Sequence, residues 1–101
     1  MSSEPGLPGV DALRERIDEC DATVLRAISS RFEAVEAIGR LKREAGVAVL
    51  QPRRRQEVID RYRAVGVAAG LSDAFAEALA LLVLEEAHRI EEEVAAGGAS
   101  G

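Results

Sequence analysis

Val10–Ala45 reads VDALRERIDECDATVLRAISSRFEAVEAIGRLKREA, and its periodicity decides the fold. Steps of four and three through Val10, Arg14, Ile17, Asp21, Val24, Ile28, Arg31, Val35, Ile38, Lys42 and Ala45 trace one seam of an amphipathic helix. No proline interrupts the stretch and Gly39 is its only glycine. The spacing therefore predicts one helix of about 35 residues, roughly 50 Å long at 1.5 Å per residue. A helix of that length in a chain of 101 residues cannot fold back over its own seam and needs a partner to cover it. Four of the eleven seam positions (Arg14, Asp21, Arg31 and Lys42) are charged. A cation facing a core is costly unless something pairs with it, so the seam suggests an anion-binding cavity as well as packing.

Outward from this stretch the chain is all-α. Gly46 ends the first helix, and Pro52 suits the first turn of a second running to about Val65, with Val58, Ile59, Tyr62 and Val65 as its apolar face. Gly66 and Gly70 are expected to bracket the next connection. Ser72 then caps a third helix that ends near Ala95 and has Phe75, Leu79, Leu82 and Val83 as its core face. The expected organisation is a flexible N-terminus over 1–9, where Pro5, Gly6, Pro8 and Gly9 keep the chain irregular, one helical domain over 10–95, and a disordered Gly/Ala/Ser tail over 96–101.

Composition narrows the function classes. With 48% hydrophobic residues and a formal charge of -5, the chain is one small domain that does not suit nucleic acid or an acidic membrane surface as its main partner. No apolar run approaches the roughly 20 residues of a membrane span, and no basic region followed by an apolar run marks a secretory signal, so a soluble cytoplasmic protein is expected. Cys20 is the only cysteine and is expected to fill core space. His88 is the only histidine and has no neighbouring Cys or second His, which argues against a metal site or His-based nucleophilic catalysis. Ser29 and Ser30 lack a nucleophile elbow, and no phosphate-binding glycine loop or dinucleotide fingerprint is present. Neither a metal nor a cofactor is expected, which leaves cations and one carboxylic acid to carry any chemistry.

Helical geometry sorts the cations. Arg31 and Lys42 are eleven residues apart, which returns to within about 20° of the same face with an axial gap of about 16 Å that two long side chains can close. Arg14 lies about 25 Å and about 100° from Arg31, too far to reach the same small ligand from the same chain. If two copies of the helix pack antiparallel, Arg14 of one copy can enter the pocket built on Arg31 and Lys42 of the other, so the geometry favours a dimer with shared sites. At the start of the second helix, Gln51-Pro52-Arg53-Arg54-Arg55 sets cations against the helix dipole. Arg53 reads as solvated surface, whereas Arg54, one turn in, can face the charged seam. On the third helix, Leu84, Ala87, Glu91 and Val94 fall three and four apart, placing Glu91 on an otherwise apolar stripe. Solvation at the helix end and a place in the pocket are equally consistent with that spacing. Facing a pocket, Glu91 would be pushed by desolvation toward its neutral, proton-donating form, while neighbouring cations would pull the other way.

The run Leu13-Arg14-Glu15-Arg16-Ile17-Asp18, followed by Asp21, Arg31, Gly39 and Lys42, resembles the first helix of the all-helical chorismate mutases. The likeness continues through Pro52-Arg53-Arg54 into the third helix and covers roughly Val10 to Val94. It implies an intertwined homodimer of three-helix protomers, with each site taking one arginine across the interface, and a small dianionic substrate. By this resemblance Arg31, and Arg14 from the other protomer, hold the substrate's two carboxylates. Lys42 reaches the enolpyruvyl ether oxygen and a carboxylate, and Arg54 matches the family's second-helix arginine. Glu91 stands where many bacterial members have Gln at the ether oxygen, and some members carry a Glu that must be protonated. The implied reaction is the [3,3] rearrangement of chorismate to prephenate, which needs no nucleophile, metal or cofactor.

The departures concern the ring. Many members flank the second-helix arginine with an Asp and a Glu that bind the ring hydroxyl, where this chain has Gln51 and Arg55, and Ala87 replaces a Ser that often assists a ring carboxylate. A 4-amino-4-deoxychorismate mutase or an isochorismate-pyruvate lyase would keep the carboxylate clamps while changing those contacts. A non-catalytic helical dimerisation or regulatory module is the reading from another class.

Overall fold

The computed structural model describes residues 7–97, so the readings made for 1–6 and 98–101 lie outside the described residues. Three helices follow one another: α1 (Val10–Ala45), α2 (Pro52–Ala68) and α3 (Asp73–Ala95). The bounds of α1 and α3 are those that periodicity and capping predict. Ser72 accepts a hydrogen bond from the Phe75 N–H at 3.1 Å, satisfying one of the orphan donors of the first turn. Among the described residues no helix is long and apolar enough to cross a membrane.

The end of α1 is closed by backbone geometry. Gly46 has φ +69°, and beyond it the Val47 N–H bonds the Lys42 carbonyl at 2.9 Å. Glycine is the residue that enters this left-handed conformation without steric cost.

The predicted end of α2 is wrong by about a turn. Gly66 lies inside the helix and is buried, and Gly70, with φ +93°, makes the actual stop, where the Leu71 N–H reaches back to the Gly66 carbonyl at 2.9 Å. Gly66 serves packing instead: a Cβ there would lie 2.9 Å from the Ala76 Cβ on α3. Two glycines four apart look alike in sequence, and only the neighbouring helix separates a stop from a close approach.

The chain divides at Glu33/Ala34 into two compact units. In the second, α2 packs on α3, and the end of α1 meets the end of α3, where the Cβ position of Gly39 is 3.4 Å from the Val94 Cβ. The buried apolar residues are Val35, Val58, Ile59, Ala76, Ala80, Val83, Ala87 and Val94, all small or branched aliphatic. This corrects the expected core face of α3. Phe75 is 55% and Leu82 66% exposed, because the helices approach through a small-residue stripe that turns the larger side chains outward. Val65 on α2 is exposed for the same reason. In the first unit Leu13, Ile17, Val24 and Leu25 are exposed, and so is Cys20, contrary to its expected burial. Among its described residues that unit is one helical run, with no second element of its own to close over its apolar face.

Two outcomes follow from this packing. Gly66→Ala is expected to lose about 1–3 kcal/mol in urea denaturation, since overpacking against Ala76 outweighs the fraction of a kcal/mol gained in helix propensity. Arg63 on α2 clamps Asp73 at the start of α3 at 2.9 and 3.0 Å, and this hydrogen bonding holds the Asp73 carboxyl below its ordinary value. The associated stability is present above the ordinary Asp value of about 3.9 and is lost as pH falls through the lowered native value. Asp73→Asn should flatten that acid limb in a plot of Tm against pH.

Candidate active site

The second unit brings Lys42 and Glu91 together from residues 49 apart: Lys42 Nζ donates to Glu91 Oε1 at 2.8 Å. Both are withdrawn from water, with side chains 19% and 15% exposed. Lys42 Nζ also donates to the Val49 carbonyl at 3.2 Å, so the α1–α2 loop folds over the ammonium that ends the charged seam. Spacing on α3 left Glu91 between solvent and pocket, and the fold places it inward with Ala87 and Val94, both buried. A partly desolvated ion pair is costly unless its remaining hydrogen-bonding capacity is used, and a third ligand of the ammonium meets part of that need.

Glu91 also lines a cleft of about 360 Å³ between α2 and α3. From α2 and the residues before it come Leu50, Gln51, Arg54 and Arg55; Ala87 stands in the opposite wall on α3. Gln51, Arg54, Arg55, Ala87 and Glu91 are thus gathered at one opening. Arg54 is only loosely held, with Glu57 at 3.8 Å and both side chains more than half exposed, so it can turn to a ligand at small cost. Gln51 makes no side-chain cap for α2, which leaves its amide available to the cleft.

Arg14 and Arg31 belong to the first unit. The Nη1 atom of Arg31 is buried and has no hydrogen-bond partner, a costly condition for a guanidinium donor and one that an anionic ligand would relieve.

Sequence reasoning missed several contributions, among them Leu50 and Glu85, which also line the cleft. The Val49 carbonyl on Lys42 is backbone and leaves no side-chain signal. Leu81 and Leu84 supply apolar wall beside Ala87, and His88 lines the same cleft. The signal for His88 was its position three residues before Glu91, on the same helical face. His88 Nε2 lies 3.3 Å from Glu92 Oε1.

The side chains at the cleft include cations, carboxylates, an amide and an imidazole, but no hydroxyl or thiol. Among the described residues no group of three or more His, Cys, Asp or Glu could hold a metal ion. The arrangement can bind a small anion, fix its conformation and stabilise negative charge on an oxygen near Lys42.

Comparison with known proteins agrees with this chemistry. The description of the family chorismate mutase type II matches residues 13–92. The chain is similar to 4-amino-4-deoxychorismate mutase of Streptomyces pristinaespiralis, 35% identical over 91 residues, or 89% of this chain and 70% of that protein. It is also similar to intracellular chorismate mutase of Mycobacterium tuberculosis, 38% identical over 66 residues, or 65% of this chain and 62% of that protein. With the intracellular chorismate mutase of Mycolicibacterium smegmatis it shares 41% identity over 56 residues, 55% of this chain and 54% of that protein. The matches to these two mycobacterial proteins therefore span less than two thirds of their lengths. With a match from the first helix through the third, the chain belongs to the chorismate mutase type II family.

Proposed function

We propose that this protein catalyses the [3,3] rearrangement of chorismate to prephenate. The observation that carries the reading is the withdrawn Lys42–Glu91 pair beside a cleft that Arg54 also lines, in a chain of this family. The reaction is unimolecular and balanced: the ring ether bond breaks as a carbon–carbon bond forms between the enolpyruvyl group and the ring, and no atom enters or leaves. An enzyme accelerates such a step by holding the reactive chair and stabilising the charge that develops on the ether oxygen.

In this reading Arg31, Arg54 and Arg14 of a second protomer clamp the two carboxylates, since arginine suits bidentate carboxylate contacts. The unpartnered buried Nη1 of Arg31 supports its part in the clamp. Lys42, a compact charge, faces the ether oxygen. Glu91, which accepts from Lys42 at 2.8 Å, stands beside that contact, where the resemblance puts a group that serves the ether oxygen. Gln51, Arg55 and Ala87 border the ring. A homodimer is supported by Leu13, Ile17 and Val24, which lie along one face of α1 and are exposed. The substrate is small and dianionic, with no part for nucleic acid, and a cytoplasmic setting is supported by relatives named intracellular chorismate mutase.

A second reading, rearrangement of 4-amino-4-deoxychorismate, is favoured by the Streptomyces relative and by Gln51 and Arg55 at the ring end. Turnover assays with chorismate, its 4-amino analogue and isochorismate, with products identified, decide among these activities. Prephenate from chorismate is the expected result. Pyruvate from isochorismate would indicate a lyase, and no conversion of any of the three would leave the helical-module reading.

Lys42→Ala and Arg31→Ala are each expected to lower kcat/KM by roughly a thousandfold or more while far-UV circular dichroism stays helical. Near-normal turnover in either variant would sink the assignment. Glu91→Gln, whose amide can donate to the ether oxygen, is expected to retain activity, and Glu91→Leu to lose it. A Leu variant with the parent's kcat/KM would remove Glu91 from the mechanism.

A further inference from the structure

The ring end of the cleft poses a specific chemical question. In chorismate the ring carbon bearing the C4 hydroxyl is bonded to the carbon bearing the ether oxygen, so a group that reads C4 must lie near the group that serves the ether. At the start of α2 the cleft presents Gln51, Arg54 and Arg55, and α3 adds Glu85. On α3, His88 lines the cleft one turn before Glu91, and residues three apart on a helix have Cβ atoms about 5–6 Å apart. Its neighbour Ala87 is buried and carries only a methyl group, so the wall beside the imidazole is low. Glu92 engages Nε2 at 3.3 Å, which leaves Nδ1 as the ring nitrogen available to a ligand. His88 is thus a polar, partly oriented group one helical turn from Glu91 on the same cleft, and the roles described above do not use it.

Resting on the mutase reading, we infer that His88 is the specificity residue for the ring C4 substituent: the imidazole exchanges a hydrogen bond with the C4 hydroxyl through Nδ1 while Glu92 holds the ring. Its contribution is binding and selection. Charge at the breaking ether bond is left to Lys42 and Glu91. The His88 side chain is 45% exposed, so water can take the place of a missing hydroxyl and the discrimination it gives is modest.

The experiment is a substrate–variant cycle with chorismate and its 4-deoxy analogue, using the full chain and the variants His88→Leu, His88→Gln and Gln51→Ala. His88→Leu is expected to lower kcat/KM for chorismate by about tenfold, chiefly through KM, and to leave the 4-deoxy analogue nearly unchanged. His88→Gln keeps a hydrogen-bonding group on the same helix face and should recover part of the loss. Circular dichroism should show helical structure in every variant. Equal losses on both substrates would overturn the inference by showing that His88 supports packing. Loss of C4 discrimination in Gln51→Ala with none in His88→Leu would overturn it by transferring the role to Gln51. If the unmodified protein converts neither chorismate nor its 4-amino analogue, the mutase reading itself fails and this assignment falls with it. That outcome is distinct from an active enzyme whose C4 preference ignores His88.

Discussion

The contact between Lys42 and Glu91 depends on how closely the end of α1 approaches the end of α3. Gly39, one turn before Lys42, presents no side chain, and its Cβ position lies 3.4 Å from Val94 and 3.6 Å from the Glu91 Cα. A bulky side chain there would force the helices apart and stretch the 2.8 Å contact. The loop after Gly46 adds the Val49 carbonyl as a further ligand of the ammonium. Helix approach, loop closure and charge placement are therefore one arrangement. A lysine can be withdrawn from water here because two oxygen atoms replace part of its hydration.

The same economy of small residues shapes the α2–α3 contact, where Gly66 and Ala76 meet at the limit of close approach. The consequence is a shallow core of alanines and branched aliphatic residues with larger apolar side chains left outside it. Leu13, Ile17, Val24, Phe75 and Leu82 are among the large apolar side chains that this core leaves exposed. The dimer proposed for this protein joins stability and function in one step, since a second copy covers exposed helix surface and also delivers Arg14.

Within the site the work divides along the cleft. Glu91, which accepts from Lys42, lines the cleft with Leu81, Leu84 and Ala87; in the proposed reaction the Lys42–Glu91 pair serves the ether oxygen and this wall the apolar ring face. Gln51 and Arg55, which line the same cleft, stand by the resemblance where many family members carry an acidic pair. Common cations for the carboxylates and a distinct rim for the ring substituent are what a family needs if its members share a rearrangement and differ in substrate. The relatives include chorismate mutases and a 4-amino-4-deoxychorismate mutase.

The three helices, the bounds of α1 and α3 and the cations of the seam were legible in the sequence, because periodicity, capping residues and a charge on an apolar stripe are local properties. Arg54 and Glu91 were legible as candidates by the same spacing. Tertiary structure decided which reading of each ambiguous residue holds. Gly66 is a packing position and not a stop because Ala76 lies against it, and Phe75 and Leu82 turn outward because smaller neighbours make the contact. Glu91 faces inward because Lys42 meets it there, and His88 enters the cleft beside Ala87. A helix face is written in the sequence as a period of about 3.6 residues, but which side of that face is buried depends on the elements that arrive from elsewhere in the chain. For that reason the charged seam could be read from Val10–Ala45 alone, while the partner of its lysine could not.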